Sequence, residues 1–141
     1  MRILSIDPGG NTGLCVISLA NGKVKVEAWD TISDNTQFDW IKYIDKHIPH
    51  VLVMESMVAH GKLTRGKIDQ IKAMGIVEWI AYRKHVSPIE YITPEERGRI
   101  NKVPADIKGD HARDAYRVGV AYAVKKGRIA PNAPDLISST R

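Results

Sequence analysis

The chain has 141 residues, of which 43% are hydrophobic and 26% charged, enough for one globular domain with one core and too few for two. Its net charge of +5 and pI near 9.4 favour a polyanionic partner such as nucleic acid, and its single cysteine, Cys15, excludes a disulfide framework and a cysteine-built zinc site. No stretch reaches the ~20 apolar residues of a membrane span, and the chain opens on a strand pattern rather than a secretory signal, so a reducing cytoplasm is the expected location.

In chain order, the apolar run Ile3-Leu4-Ser5-Ile6 reads as a buried strand ending on Asp7. Pro8, Gly9, Gly10 and Gly13 force a tight turn, and Leu14 to Leu19 returns as a second strand. Asn21-Gly22 is a hairpin-turn dipeptide, and Lys23 to Trp29 alternates polar with apolar as a half-buried third strand. Phe38, Ile41, Ile44 and Ile48 stand at helical spacing over about Thr36 to His47, and Pro49 stops that run before the fully apolar strand Val51-Leu52-Val53-Met54. A second helix is expected from about Lys67 to His85, followed by the short strand Ile89 to Ile92. Thr93-Pro94-Glu95-Glu96 is a capping box with proline at the first helical position, and the last helix runs from about Asp110 to Lys126. Pro131 and Pro134 mark a loose tail. The order β-β-β-α-β-α-β-α predicts an α/β fold with a mixed five-stranded sheet, three antiparallel strands plus two parallel, flanked by helices. Residues 1–128 form the expected single domain and 129–141 its tail.

The chemistry lies in the acids. A fourth strand running parallel to the first sets Glu55, at its carboxyl end, beside Asp7. The last helix offers Asp110, His111 and Asp114 near the same sheet edge, with His111 and Asp114 three residues apart on one face. Such a cluster repels itself unless cations bind. A sparse set of carboxylates around an open site suits Mg²⁺, which keeps waters and recruits phosphate, and two ions would serve phosphodiester hydrolysis. Two plainer readings stand beside this one: Glu55 caps the next element, and Asp110, His111 and Asp114 are a solvated first turn that satisfies the helix dipole.

Three stretches together resemble the RuvC-type Holliday junction resolvases of the RNase H-like superfamily. Ile3 to Gly9 with Thr12-Gly13 looks like the family's first strand and turn, Val53-Met54-Glu55 like its fourth-strand acid, and His111-Ala112-Arg113-Asp114-Ala115 like its C-terminal metal-binding helix. Gln70 to Val77 resembles the helix that packs against its twin in the family's homodimer, and Glu90-Tyr91 falls where its fifth strand lies. The resemblance covers most of residues 1–126. It implies an RNase H-like nuclease domain that acts as a homodimeric, Mg²⁺- or Mn²⁺-dependent endonuclease, using two ions per site and nicking two symmetry-related strands of a four-way DNA junction. Asp7, Glu55 and Asp114 are then the principal metal ligands, His111 the fourth, and Asp110 its competitor; imidazole tilts the preference toward Mn²⁺.

Phosphate contacts are expected from Lys62, Arg65 and Lys67 in the loop after Glu55. Arg97 matches the position of a functionally important family lysine, and Lys108 sits close to a second. Trp29, Trp40 and Trp79 read as core or interface anchors, with Trp79 buried or at the dimer contact, and His47, His50, His60 and His85 as surface or loop residues. Two departures stand out. Val58 and Ala59 occupy the place of a base-stacking aromatic, and Arg99 to Gly109 is shorter than the family's corresponding region, as a compact viral member would have it. Both favour recognition of branched DNA by shape and phosphate contacts over base readout. The sequence assigns no helicase partner. The alternatives are a YqgF-like RNA-processing nuclease and a non-catalytic junction-binding protein. An actin-like phosphotransferase is discounted, since it needs two such domains and this chain has length for one.

Overall fold

Continuous apolar runs in the first, second and fourth strands mark a sheet covered on both faces, and this is what the computed structural model of the chain shows over residues 1–33, 37–56, 61–86, 89–130 and 138–139. The elements are β1 (Arg2–Asp7), β2 (Thr12–Ala20), β3 (Lys23–Ile32), α1 (Gln37–His47), β4 (Val51–Glu55), α2 (Arg65–Arg83), β5 (Ile89–Ile92), α3 (Pro94–Gly98), α4 (Asp110–Lys125) and β6 (Ser138–Ser139). The sheet order is β5-β4-β1-β2-β3-β6. β1, β2 and β3 pair antiparallel, β4 lies parallel to β1, and β5 parallel to β4.

The five-stranded mixed sheet is therefore as expected from the sequence. One addition comes from the tail, where β6 pairs parallel with β3 at Lys25 and Val26; Pro131 and Pro134 lie outside the described residues. The β2–β3 hairpin turns on Asn21 (φ 55°) and Gly22 (φ 72°), both in the left-handed region that such a two-residue turn requires.

Strand alternation sorts the core into two layers. Ile3, Cys15, Ile17, Val51, Val53 and Ile92 face one side, where they pack with Ala112, Ala115, Tyr116 and other residues of α4. Leu4, Ile6, Leu14, Val16, Leu52 and Met54 face the other, against Trp40 and Ile44 of α1 and Val77 and Ile80 of α2. Gly119 lets α4 lie close on β1: a Cβ there would stand 2.8 Å from Ser5 Oγ. This alternation decides where the acids point. Asp7 continues the parity of Ile3 and Ser5, and Glu55 that of Val51 and Val53, so both carboxylates emerge on the α4 side.

Two of the boundaries that differ from the expected ones have a visible cause. α2 begins at Arg65 rather than Lys67, because Thr64 takes the cap position and its hydroxyl accepts from the Lys67 N–H at 3.3 Å. β3 extends to Ile32, since its second half still pairs with β2 as far as Thr12.

Candidate active site

β1 and β4 run parallel with Ile6 opposite Met54, so the next residues, Asp7 and Glu55, leave the sheet side by side. Glu55 is buried although it ends its strand. The Gly-rich turn after Asp7 is closed by Thr12, whose hydroxyl donates to the Gly9 carbonyl at 3.0 Å and accepts from the Gly9 N–H at 3.2 Å. Gly13 is opposite Asp7 in the β1–β2 ladder. A Cβ on Gly13 would fall 1.9 Å from the His111 carbonyl oxygen, so only glycine lets the first turn of α4 sit over the turn.

That close approach brings α4 to the acids. His111 Nδ1 is 3.6 Å from Asp7 Oδ2. Asp114, one turn further along, has its Oδ1 2.7 Å from Arg117 Nη1 and its Oδ2 3.1 Å from Arg97 Nη1. Arg97 Nε is in turn 3.2 Å from Glu55 Oε1, so one guanidinium bridges β4 and α4. β5 and α3 deliver that arginine. The Ser56 N–H donates to the Ile92 carbonyl at 2.8 Å, and Thr93 then starts α3 with a complete capping box that fixes the helix carrying Arg97.

The electrostatics follow from this packing. Burial pushes Asp7 above the ordinary carboxylate range, and the Asp114 charge adds to the rise while Arg97 and His111 oppose it. Glu55 is pushed up to about 7, chiefly by burial; Arg97 pulls it down, and Asp7 and Asp114 push it further up. Asp7 and Glu55, whose proton affinity rises with burial and with the Asp114 charge beside them, together with Asp114 and an imidazole at their edge form a donor set whose chemistry fits a hard divalent cation. As they stand, no three His, Cys, Asp or Glu side chains among the described residues come close enough together to enclose a metal ion; Arg97 lies between two of them.

Of the residues singled out in the sequence, Asp7, Glu55, His111, Asp114 and Arg97 are thus brought together. Asp110 is exposed at the first position of α4, outside this network. Lys108 is exposed in the loop leading into α4. Lys62 lies in the loop after β4, whereas Arg65 and Lys67 belong to the first turn of α2 and not to that loop, for the capping reason given above. Lys67 Nζ donates to the Lys62 carbonyl at 3.3 Å, and Arg65 Nε lies 3.5 Å from Asp69 Oδ1. Asp69 Oδ2 is itself within 3.2 Å of the Cβ position on Gly10, so the start of α2 abuts the turn after Asp7. Val58, Ala59 and His60 lie outside the described residues. Sequence reasoning missed Arg117, which orients Asp114 and also donates to the Ile100 carbonyl at 3.2 Å. The spacing of three residues between Asp114 and Arg117 was the available signal.

No protein-family model and no curated protein sequence matches the chain. Solved structures do. RuvC of Thermus thermophilus is similar with a TM-score of 0.73 at 14% identity, over 91% of this chain and 98% of that one, and the same protein in complex with a Holliday junction substrate gives 0.74. The yeast mitochondrial Holliday junction resolvase Ydc2 gives 0.62 at 14% identity, over 96% of this chain and 82% of that one. The fowlpox virus resolvase, in complex with Holliday junction DNA, gives 0.60 at 15% identity, over 85% and 97%. The chain therefore has the RNase H-like fold of the RuvC-type Holliday junction resolvases.

Proposed function

We propose that the protein is a metal-dependent, structure-selective DNA endonuclease that resolves four-way junctions by paired symmetric nicks. The observation that carries this reading is the convergence of Asp7 and Glu55, from adjacent parallel strand ends, with Asp114 and His111 of α4. Asp7, Glu55 and Asp114 would hold Mg²⁺ or Mn²⁺, two ions per site, with His111 as the fourth donor. Held there, a divalent cation would supply activation of water and stabilisation of the leaving oxygen of a phosphodiester. The chain's own residues do the rest. Arg117 keeps Asp114 aimed at the site, Gly13 keeps His111 over Asp7, and Lys62, Arg65, Lys67 and Lys108 offer cations to the DNA backbone.

The dimer belongs to the same proposal. α2 exposes Ile71 (43%), Trp79 (54%) and Tyr82 (80%), and a groove of about 510 Å³ runs along it between Lys72, Gly75, Ile76 and Trp79. A two-fold axis through this face would give two equivalent acidic sites for a substrate that is itself two-fold symmetric.

The test is cleavage of a labelled immobile four-way junction in Mg²⁺ or Mn²⁺ by wild type and Asp7→Asn, with matched duplex controls. Symmetric nicks in the junction arms, reduced at least about 100-fold in the variant, are the expected result. Junction binding without nicking in either metal points to a non-catalytic junction-binding protein, and degradation of structured RNA in preference to DNA points to an RNA-processing nuclease.

A further inference from the structure

We propose that Arg97 is a displaceable counter-cation of the acidic site, a guanidinium that holds Glu55 and Asp114 together and leaves them for DNA phosphate when a divalent cation enters. The inference rests on the reading of these acids as a metal site and adds a role for Arg97 within it.

Arg97 spends two of its donors on carboxylates from two different elements, Glu55 at the end of β4 and Asp114 on α4, at 3.2 and 3.1 Å. Oxygens that share one Mg²⁺ ion each lie ~2.1 Å from it. A guanidinium interposed between the same two carboxylates holds that space, so cation and guanidinium exclude one another.

The two arginines on Asp114 are not equivalent. Arg117 is on the same helix as Asp114, takes Oδ1 at 2.7 Å, and is also fastened to the Ile100 carbonyl; it can stay when Oδ2 changes partner. Arg97 is on α3, a helix of five residues with no buried side chain, which permits movement without disturbing the core. Loss of Arg97 from the acids does not leave Asp114 unsupported.

The consequence is linkage. Cation entry frees a guanidinium suited to bidentate phosphate contact, so divalent cation and DNA strengthen one another's binding by the same factor. Replacing Arg97 removes both the competitor and the coupling. The substitution also leaves the buried Glu55 carboxylate without its counter-charge, which lowers metal-free stability.

Mn²⁺ binding to the DNA-free full chain, measured by electron paramagnetic resonance, tests the first half on wild type, Arg97→Gln and Arg97→Lys. Arg97→Gln should bind Mn²⁺ more tightly than wild type by a factor in the about 5- to 150-fold range of site coupling, with the lysine variant between. Its thermal midpoint should fall in EDTA and recover in Mn²⁺. Anisotropy of a fluorescent four-way junction, titrated in Ca²⁺ and in EDTA, tests the second half: the Ca²⁺-induced gain should be about fivefold or more larger in wild type than in Arg97→Gln. Equal or weaker Mn²⁺ binding by both variants, in a wild type that binds Mn²⁺ and nicks junctions, overturns the role of Arg97 and leaves the nuclease reading standing. Absence of Mn²⁺ binding in all three proteins overturns the metal site itself. If Arg97→Gln does not fold, the lysine variant, which keeps the charge and loses the fork, decides on the same readouts.

Discussion

Glu55 is a carboxyl group in surroundings that favour its proton. Its ordinary pKa of 4.5 rises to about 7 in the fold, so between those values the folded chain binds a proton that the unfolded chain releases. Stability then falls as pH rises through that window. The span corresponds to about 3 kcal/mol of differential stabilisation between pH 4 and pH 8. Glu55→Gln should therefore abolish nicking yet flatten the pH dependence and raise metal-free stability above pH 7, as read by urea denaturation in EDTA from pH 4.5 to 8.5. A variant that retains the wild-type slope would place the titration elsewhere. Gly13 supplies the opposite case, a residue with no chemistry whose replacement should disrupt the site. Gly13→Ala sets a methyl 1.9 Å from the His111 carbonyl and should cost about 3 kcal/mol or more, measurable by the same method, because helix and turn must part. Asp7 and Glu55 were legible in the sequence because a strand's alternation of faces and a parallel return are read directly from residue pattern. Arg97 was legible only as a cation near the site. Its pairing with Glu55 and Asp114 depends on where α3 comes to rest, which no local pattern specifies.

Short elements do much of the positioning, and their caps are where it can be tested. α3 has five residues and buries none of them, so tertiary packing contributes little to it and its capping box contributes much. The Thr93 hydroxyl accepts from the Glu96 N–H at 3.1 Å, and the Glu96 carboxylate accepts from the Thr93 N–H at 3.0 Å. Thr93→Ala should lower stability by about 1 kcal/mol. Since Arg97 follows directly and donates its N–H to the Thr93 carbonyl at 3.0 Å, the same change should loosen the arginine from the acids and tighten Mn²⁺ binding in the direction of Arg97→Gln. A Thr93→Ser variant, which keeps the hydroxyl, should behave as wild type in both measurements. This cap was legible from sequence, whereas Thr64 at the start of α2 was not, since the Gly-containing stretch before it read as loop. The order of elements came through because helical and strand periods alternate cleanly. The true extent of β3 did not, because its second half carries polar residues whose ladder is set by β2.

At the scale of the whole molecule, the layers bury their apolar surface on both sides of the sheet, yet α2 keeps Ile71, Trp79 and Tyr82 exposed. Trp79 was expected to be buried or at a dimer contact; at 54% exposure it is not in the core, and the second expectation is the one left to test. Exposed aromatic and aliphatic side chains on one helix, beside grooves of about 510 and 450 Å³ that share Gly75, have the character of an interface centre. Periodicity could not separate these residues from core residues, because a face buried against a twin and a face buried against a sheet have the same spacing. Trp79→Ala should weaken self-association by at least about 2 kcal/mol, roughly 30-fold in dissociation constant, as a central aromatic anchor does. Sedimentation velocity over a concentration series would show the dimer in wild type shift toward monomer in the variant, with the circular dichroism spectrum unchanged. The functional signature differs from that of an active-site change. On the proposed reading a monomer would keep its acids and still nick single strands, but the second nick would no longer follow within the lifetime of one complex, so a cruciform plasmid should accumulate as nicked circle instead of linear product. Wild-type protein that remains monomeric at all concentrations while producing linear product would show that the paired cuts arise without this face.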